Sequence, residues 1–257
     1  MNPRRIFTIA TQVFWEAVRD RILYFLVFFA GFLALAVRLL PEVAATLEDK
    51  ISLDVSLAAI NVLGLVIAIF LSTALITQEI ERRTVYLLLA KPLNRAELIV
   101  GKHLGLAGVL AVLILILLGI SLLILSWNQI PYSTSSLLIS NGFLWLQLCL
   151  VGAAGILFSV FASSLLAILL TFGLYLIGSL SQDLLKFSQS SENSGLAQIL
   201  QGLYLVLPDL AKLDLKNDAV YGQLPSSSIL LTNGIYGILY IIILLSLATA
   251  MFSRREF

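Results

Sequence analysis

Charged side chains that could bind another molecule are concentrated in one short stretch, Glu79–Lys102, which we call the charged island. It holds eight of the chain's 31 formal charges, which are 16 Lys or Arg and 15 Asp or Glu residues. Between these charges lies the apolar run Val85–Ala90, and six residues are far too few to cross about 30 Å of hydrocarbon. Another surface must therefore cover this run. A docked partner would do so, and so would the inner leaflet or the chain's own helices.

The same stretch lacks the residues that nucleotide chemistry requires. A phosphate-binding loop has the pattern Gly-x-x-x-x-Gly-Lys followed by Ser or Thr, because glycine backbones approach the phosphates and the hydroxyl binds magnesium. Here Ala96 stands in place of the first glycine before Gly101-Lys102, and His103 stands in place of the hydroxyl residue. The chain is therefore expected to hydrolyse no nucleotide and to bind no cofactor of its own.

Other catalytic and metal-binding patterns are missing as well. His103 is the only histidine and Cys149 the only cysteine. Serine nucleophiles therefore lack a histidine base at membrane depth, and neither a His-Glu-x-x-His zinc site nor an intrachain disulfide can form. We expect His103 to be a polar residue at a helix end and Cys149 to be a small packing residue. The chain is predicted to be non-catalytic, with no metal site.

The elements around the island must be membrane helices, because 60% of the 257 residues are hydrophobic and only 12% are charged. Soluble domains carry about 25% charged residues. Polar turns at 127–136, Asn141-Gly142 and Ser163-Ser164 divide the apolar stretches. The result is an all-α membrane protein, a single transmembrane domain over residues 1–257 with six transmembrane helices. Their predicted limits are about 22–40, 55–78, 99–126, 143–162, 164–181 and 229–252.

Two further segments and the topology follow from the same patterns. Residues 3–21 keep apolar residues on one helical face for about four turns, which predicts a helix lying in the membrane interface. The outer segment 182–228 has leucines at helical spacing before Pro208, which predicts a short helix returning to the bundle or a solvated cap. Eleven of the 16 Lys and Arg residues fall in 1–21, 79–103 and 253–257, which predicts that both termini and the island are cytoplasmic.

Within the island, the sequence predicts a helix, a break and a second helix. Thr84–Ala90 can form at most two turns before Pro92, which disfavours helix at the preceding residue. Asn94, with Glu97 at the third position, predicts the cap of a new helix that ends near Ser126. This helix would be about 48 Å long and would project about 18 Å beyond the bilayer. A short apolar helix joined to it would act as a lever between a docked partner and the membrane.

The island also resembles a known protein family. Its pattern is Glu79-x-Glu81-x-x-Thr84, then Leu-Leu-Leu-Ala-Lys-Pro92, Asn-Arg95 and Gly101-Lys102. This is similar to the loop after the second span in permease subunits of ATP-binding-cassette (ABC) transporters of the second type, in the branch for multidrug export and nitrous-oxide-reductase maturation. The resemblance extends over nearly the whole chain, including the pair Pro208-Asp209 and the carboxyl end.

In that family the loop contains a coupling helix that docks on a cytosolic ATPase. The resemblance implies a cytoplasmic coupling helix between helices 2 and 3, an ATPase partner that binds ATP and magnesium, and a second permease that is identical or related. It implies that Glu79 and Glu81 lie at the entry of the docking helix and that Lys91, Pro92 and Arg95 shape its exit. The residues that the resemblance assigns to ATPase coupling are Glu79, Glu81, Thr84, Val85, Leu87, Leu88, Lys91, Pro92, Arg95, Gly101 and Lys102.

The predicted spans contain no interior acid, which argues against ion coupling and favours an external energy source. A mildly polar, aromatic path would suit an amphipathic or lipid-like cargo, whereas the alternative is that these polar residues only join helices. The candidate path residues are Asn61, Gln147, Tyr175, Asn233, Tyr236 and Tyr240.

From the residues and the resemblance we expect the permease subunit of an ABC exporter. It would be a multi-pass protein of the lipid bilayer in a prokaryotic inner membrane, with no nucleic-acid partner. Two alternatives stay open at this point. One is a channel or secondary carrier that needs no ATP, and the other is a membrane scaffold that recruits a cytosolic partner and transports nothing.

Overall fold

The computed structural model describes residues 2–19, 28–29, 31–36, 48–81, 94–190 and 207–254, together with four isolated residues between 191 and 206. Within these ranges every regular element is helical. The helices are α1 (Pro3–Arg19), α2 (Glu48–Glu81), α3 (Arg95–Trp127), α4 (Thr134–Phe161), α5 (Ser164–Ser179), α6 (Ser181–Ser190), α7 (Lys216–Tyr221) and α8 (Ser227–Arg254), with a 3₁₀ turn at Leu210–Lys212.

Four of the described helices are long and apolar enough to cross a membrane: α2 over Lys50–Thr77, and the whole of α3, α4 and α8. A fifth candidate is the pair α5 and α6, which are bent by 59° where they meet. The first predicted span, 22–40, lies mostly outside the described residues, although 28–29 and 31–36 are helical. The chain is thus an all-helical, multi-pass membrane protein, and the count of six spans stays a prediction.

Helix α3 begins where the sequence predicted it. The Asn94 side chain accepts a hydrogen bond from the backbone N–H of Ala96 at 3.2 Å, which satisfies one of the free donors of the first turn. Glu97, three residues after Asn94, is buried. Its carboxylate accepts from the backbone N–H of Asn2 at 2.7 Å. The 33 residues of α3 span about 50 Å, so the helix exceeds the thickness of the hydrocarbon.

The predicted turn at Asn141-Gly142 is wrong, because α4 runs through both residues. Asn141 turns its side-chain N–H₂ to the carbonyl of Leu137 one turn earlier, at 2.9 Å, so the polar group is satisfied inside the helix. The helix begins nine residues before the predicted limit of 143, at Thr134, where the Ser133 side chain accepts from the backbone N–H of Ser136. The predicted break at Ser163-Ser164 is present, since α4 ends at Phe161 and α5 starts at Ser164.

Helix α4 forms the centre of the bundle and packs against α2, α3, α5 and α8. Its small residues permit close approach on two sides. A Cβ atom added at Gly152 would lie 2.5 Å from Cδ2 of Leu106, and one at Gly155 would collide with the Ser72 hydroxyl. Gly155 therefore lets α2 lie against the α4 backbone, whereas at Gly152 the end of the Leu106 side chain occupies the space that a Cβ atom would take.

Residues 208–222, which we call the outer cap, fold back onto the bundle between α6 and α8. Leu210 and Leu213 of the cap are fully buried. A Cβ atom at Gly237 would lie 3.3 Å from Leu213. Because Gly237 is ten residues, or about 15 Å, along α8 from Ser227, the cap reaches well into the bundle. The predicted amphipathic helix within 196–207 lies almost entirely outside the described residues.

Candidate functional site

The predicted coupling residues are described only in part. The backbone of Glu79 and Glu81 forms the last turn of α2. Arg95, Gly101 and Lys102 lie in α3. The remaining predicted coupling residues, which include the docking helix itself, lie outside the described residues: Thr84, Val85, Leu87, Leu88, Lys91 and Pro92.

Arg95 joins the base of α3 to the end of the last helix. Its guanidinium Nη1 donates to the backbone carbonyls of Phe252 at 2.9 Å and Ser253 at 2.6 Å. These carbonyls are in the final turn of α8, where the helix dipole favours a cation. Arg95 therefore caps α8 at the point where the charged island enters α3.

Replacing Arg95 with glutamine should release this cap. We expect the free energy of unfolding to fall by about 1–2 kcal/mol, the range for hydrogen bonds to a charged group and a helix-end charge. Hydrogen exchange should rise over 248–254. Arg254→Gln is the matched control, because Arg254 is exposed on the same final turn. Equal effects of the two variants would contradict the assigned role of Arg95.

Gly101 and Gly105 form the surface on which α1 packs. A Cβ atom at Gly101 would lie 2.9 Å from Cβ of Ile9, and one at Gly105 would lie 2.7 Å from Cβ of Val13. Beside them, Arg5 of α1 lies 3.9 Å from the buried carboxylate of Glu97. The Gly-x-x-x-Gly spacing thus serves contact between α1 and α3, with Phe7 and Trp15 exposed on the other flank of α1.

Lys102 and His103 are both buried between helices near the start of α3. The Lys102 ammonium donates to the carbonyl of Leu75 in α2. Nε2 of His103 lies 3.0 Å from the carbonyl of Cys149 in α4. The physical reason is that α1 and α4 cover the base of α3, so its polar side chains must find partners inside the bundle.

The base of α3 is consequently connected to four other helices. Arg95 contacts α8, Gly101 contacts α1, Lys102 contacts α2 and His103 contacts α4. Among the described residues, the outer cap also contacts four helices, but it does so at the opposite end of the bundle from the charged island. Movement of the chain just before Arg95 would therefore reach most of the described bundle.

The six predicted path residues form two separate groups. Asn61, Gln147 and Tyr175 lie between helices in the bundle, where the Tyr175 hydroxyl donates to Oδ1 of Asn61 at 3.4 Å. Asn61 and Gln147 line one small cleft between α2, α4 and the outer cap. The cleft also contains Asn141 and Asp214, which the sequence reasoning did not select. The polar side chain of Asn141 could have indicated this site, but next to Gly142 it favours the prediction of a turn.

Asn233, Tyr236 and Tyr240 instead lie on α8, and the first two contact the outer cap. Asn233 donates to the carbonyl of Lys212 at 2.9 Å, and the Tyr236 hydroxyl accepts from the backbone N–H of Asp209 at 2.7 Å. The rings of Tyr236 and Tyr240 have centroids 5.0 Å apart. Asn233 and Tyr236 thus hold the outer cap in place, Tyr240 contacts Tyr236, and none of the three lines the cleft.

Asp209 is the centre of the cap's polar contacts and was missed as a functional candidate. Its carboxylate accepts from the Ser181 hydroxyl at 2.6 Å and lies 3.5 Å from the Lys212 ammonium. The Lys212 ammonium also lies 4.8 Å from the centroid of the Tyr236 ring. Only the conspicuous pair Pro208-Asp209 in the sequence pointed to this residue. At the far side of the cap, Lys216 lies 3.6 Å from Asp54 of α2.

The functional contacts thus lie at two ends of the bundle. Asn2, the start of α3 and the end of α8 meet at one end. The outer cap and the start of α2 meet at the other. Among the described residues no group of histidine, cysteine, aspartate and glutamate side chains could hold a metal ion.

A comparison with protein families adds one finding to this geometry. Residues 8–257 match the family model described as ABC-2 family transporter protein. The match covers the helices on both sides of the charged island and the outer cap. A search of the curated proteins finds no match.

Proposed function

The chain belongs to the ABC-2 family of transporter proteins, and from this membership we propose that it is the permease subunit of an exporter driven by a separate ATPase. The permease itself is non-catalytic in this proposal, and ATP and magnesium bind to the partner chain. We further propose the branch that the island resembles, the one for multidrug export and nitrous-oxide-reductase maturation.

The contacts at the base of α3 are the observation that carries this proposal. A partner docked on residues 84–90 would move the chain immediately before Asn94, where α3 begins. Four residues near the start of α3 contact four other helices: Arg95 contacts α8, Gly101 contacts α1, Lys102 contacts α2 and His103 contacts α4. A rigid helix with contacts to four others is a suitable element to pass a partner's movement into the membrane.

The proposed docking residues are Thr84, Val85, Leu87 and Leu88, with Glu79 and Glu81 at the entry and Lys91 and Pro92 at the exit. Replacing Leu88 with aspartate should remove most ATPase from the purified complex, because an apolar docking contact would then have to bury an unpaired charge. The measurement is the amount of ATPase that co-purifies with a tagged permease, relative to the wild type.

Ser135→Asp is the matched control for this experiment. It adds the same charge at an exposed position in the first turn of α4, where a helix N-terminus favours an acid. It lies at the other end of the bundle from α3's base, so the ATPase should be retained. Full retention by Leu88→Asp would reject residues 84–90 as the docking helix.

The topology of the proposal has both termini and the island in the cytoplasm of a prokaryotic cell. The distribution of Lys and Arg supports this orientation, and so does the meeting of Asn2, Arg95 and Ser253 at one end of the bundle. With six spans, a second permease would complete the usual twelve of this transporter class. We propose that two such chains form the membrane part of the transporter.

The proposed cargo path uses Asn61, Gln147 and Tyr175 in the bundle, with Asn233, Tyr236 and Tyr240 holding the outer cap across its outer end. The cleft is small in this structure and admits little more than a water-sized group. The outer cap would therefore have to move for a larger cargo to leave. Its polar contacts with α2, α6 and α8, together with the buried Leu210 and Leu213, would have to break for the cap to detach.

A further inference from the structure

The cleft between α2, α4 and the outer cap contains two buried acceptors that no described residue satisfies. Asn141 is 3% exposed and Gln147 is 1% exposed. Oδ1 of Asn141 and Oε1 of Gln147 have no hydrogen-bond donor within the described part of the chain. Leaving such an oxygen buried without a donor costs about 1–3 kcal/mol. A guest that donates hydrogen bonds is therefore expected in the cleft.

The orientation of Asn141 is determined by its own helix. Its side-chain N–H₂ donates to the Leu137 carbonyl at 2.9 Å, and exchange of the two amide atoms would place oxygen against oxygen. Oδ1 must therefore be the free atom. Gln147, six residues further along α4, lines the same cleft.

The charge around the cleft favours a cation over an anion. Asp214 of the outer cap lines it with an exposed carboxylate, one oxygen of which accepts from the backbone N–H of Lys216 at 3.1 Å. Lys216 also lines the cleft, but its ammonium is paired with Asp54 of α2 at 3.6 Å. These three side chains together carry one net negative charge, and the carboxylate of Asp214 retains acceptor capacity.

A primary ammonium group suits the size of the cleft and the acceptors that line it. It has three N–H donors, and the cleft offers the Asn141 oxygen, the Gln147 oxygen and the Asp214 carboxylate. It is about the size of a water molecule, which is the space available. Leu57, Leu144 and Leu213 supply an apolar wall for an attached hydrocarbon.

We propose that this cleft binds the primary ammonium group of an amine-bearing amphiphile. The binding step needs no ATPase and stands independently, whereas the role of the bound amine as transported cargo rests on the proposed function. A quaternary ammonium has the charge but no N–H donor, and an alcohol has a donor but no charge. Comparing these two compounds with a primary amine therefore distinguishes the contribution of hydrogen bonds to binding from that of charge.

The test uses the full chain, purified without ATPase in lipid nanodiscs, with hexylamine, hexyltrimethylammonium and hexanol as probes. Hexylamine should raise the thermal unfolding temperature in a saturable manner, and neither of the other probes nor sodium chloride at equal concentration should match it. Asn141→Leu and Gln147→Leu should each weaken hexylamine binding about tenfold or more, since a hydrogen bond to a charged group is lost.

The same two variants should keep or raise the unfolding temperature without ligand, because each removes an unpaired buried oxygen. This readout separates a binding role from a structural one, which would lower it. Gln182→Leu is the control, because Gln182 is exposed on α6, and it should leave affinity unchanged. Should a variant fail to fold, the comparison of probes on the wild type still decides.

The proposal is overturned if hexylamine does not bind, if hexanol or sodium protects equally well, or if both leucine variants bind as the wild type does. Binding without ATP-dependent amine transport would leave the site intact and reject the amine as cargo. Absence of binding in a chain that still recruits an ATPase would reject the site alone.

Discussion

Gly105→Leu is expected to destabilise the protein by about 3 kcal/mol or more, the upper range for overpacking in a close contact. The reason is that even a Cβ atom at this position would lie 2.7 Å from Cβ of Val13 and 2.8 Å from the backbone carbonyl of Ala10. Neither atom is the end of a flexible side chain, so α1 would have to leave α3. Thermal unfolding and exchange of the α1 amides would measure this loss.

Gly119→Leu is the matched control on the same helix. Nothing lies within 4 Å of a Cβ atom at Gly119, so a Cβ atom there meets open space, and helix propensity improves by up to about 1 kcal/mol. Its stability should be unchanged or higher. If both variants lost the same stability, the position of α1 on the glycine face would be wrong.

Asp209→Ala is expected to release the outer cap and to destabilise the protein by about 2 kcal/mol. It removes the acceptor of the buried Ser181 hydroxyl and the partner of the Lys212 ammonium, and a hydrogen bond to a charged group contributes about 1.5–3 kcal/mol. Hydrogen exchange should increase over 208–222 and change little in α4. Cleavage of the cap by added protease should become faster in parallel.

Asp183→Ala is the matched control for Asp209→Ala. Asp183 forms an ion pair with Lys186 at 3.5 Å, and their side chains are 72% and 76% exposed. Pairs with that exposure contribute about 0.2–1 kcal/mol, so the cap should keep the exchange rates of the wild type. A cap that remains equally protected in Asp209→Ala would show that Asp209 does not hold it.

Local signals in the sequence predicted several elements correctly. The start of α3 depends on a local contact, because the Asn94 side chain accepts from an N–H of the first helical turn. The break at Ser163-Ser164 likewise depends on short-range geometry. Apolar length identified α2, α3, α4 and α8, because crossing a bilayer is a requirement on a single segment.

The failures concern residues whose state is decided by distant neighbours. Asn141 resembles a turn residue, yet its side chain is satisfied by the preceding turn of α4. For His103 the sequence indicated only a polar residue near a helix end, and it is the fold that adds the covering α4 and the Cys149 carbonyl. The partners of Asp209 lie 28 and 27 residues away at Ser181 and Tyr236. No periodicity in the sequence encodes such contacts.

In the candidate site, too, the sequence predicted residue types and spacings, whereas the contacts between distant residues required the fold. The glycine spacing at 101 and 105 predicted close helix approach, but the identity of the approaching helix, α1, required the fold. The polar residues of the spans were identified by type, and only the fold divides them between the cleft and the cap. Thr84–Ala90, the proposed docking helix, remains a prediction from its apolar run and from the resemblance.

The most direct test of the central claim is to purify the tagged chain from the membranes of its native host and identify the proteins that accompany it. We expect a P-loop ATPase in stable association with the permease. Recovery of the chain with a partner of another class would favour a scaffold, and ATP-independent flux by the chain alone would indicate a channel or carrier. Either result would contradict the claim that this chain is the membrane subunit of an ATP-driven transporter.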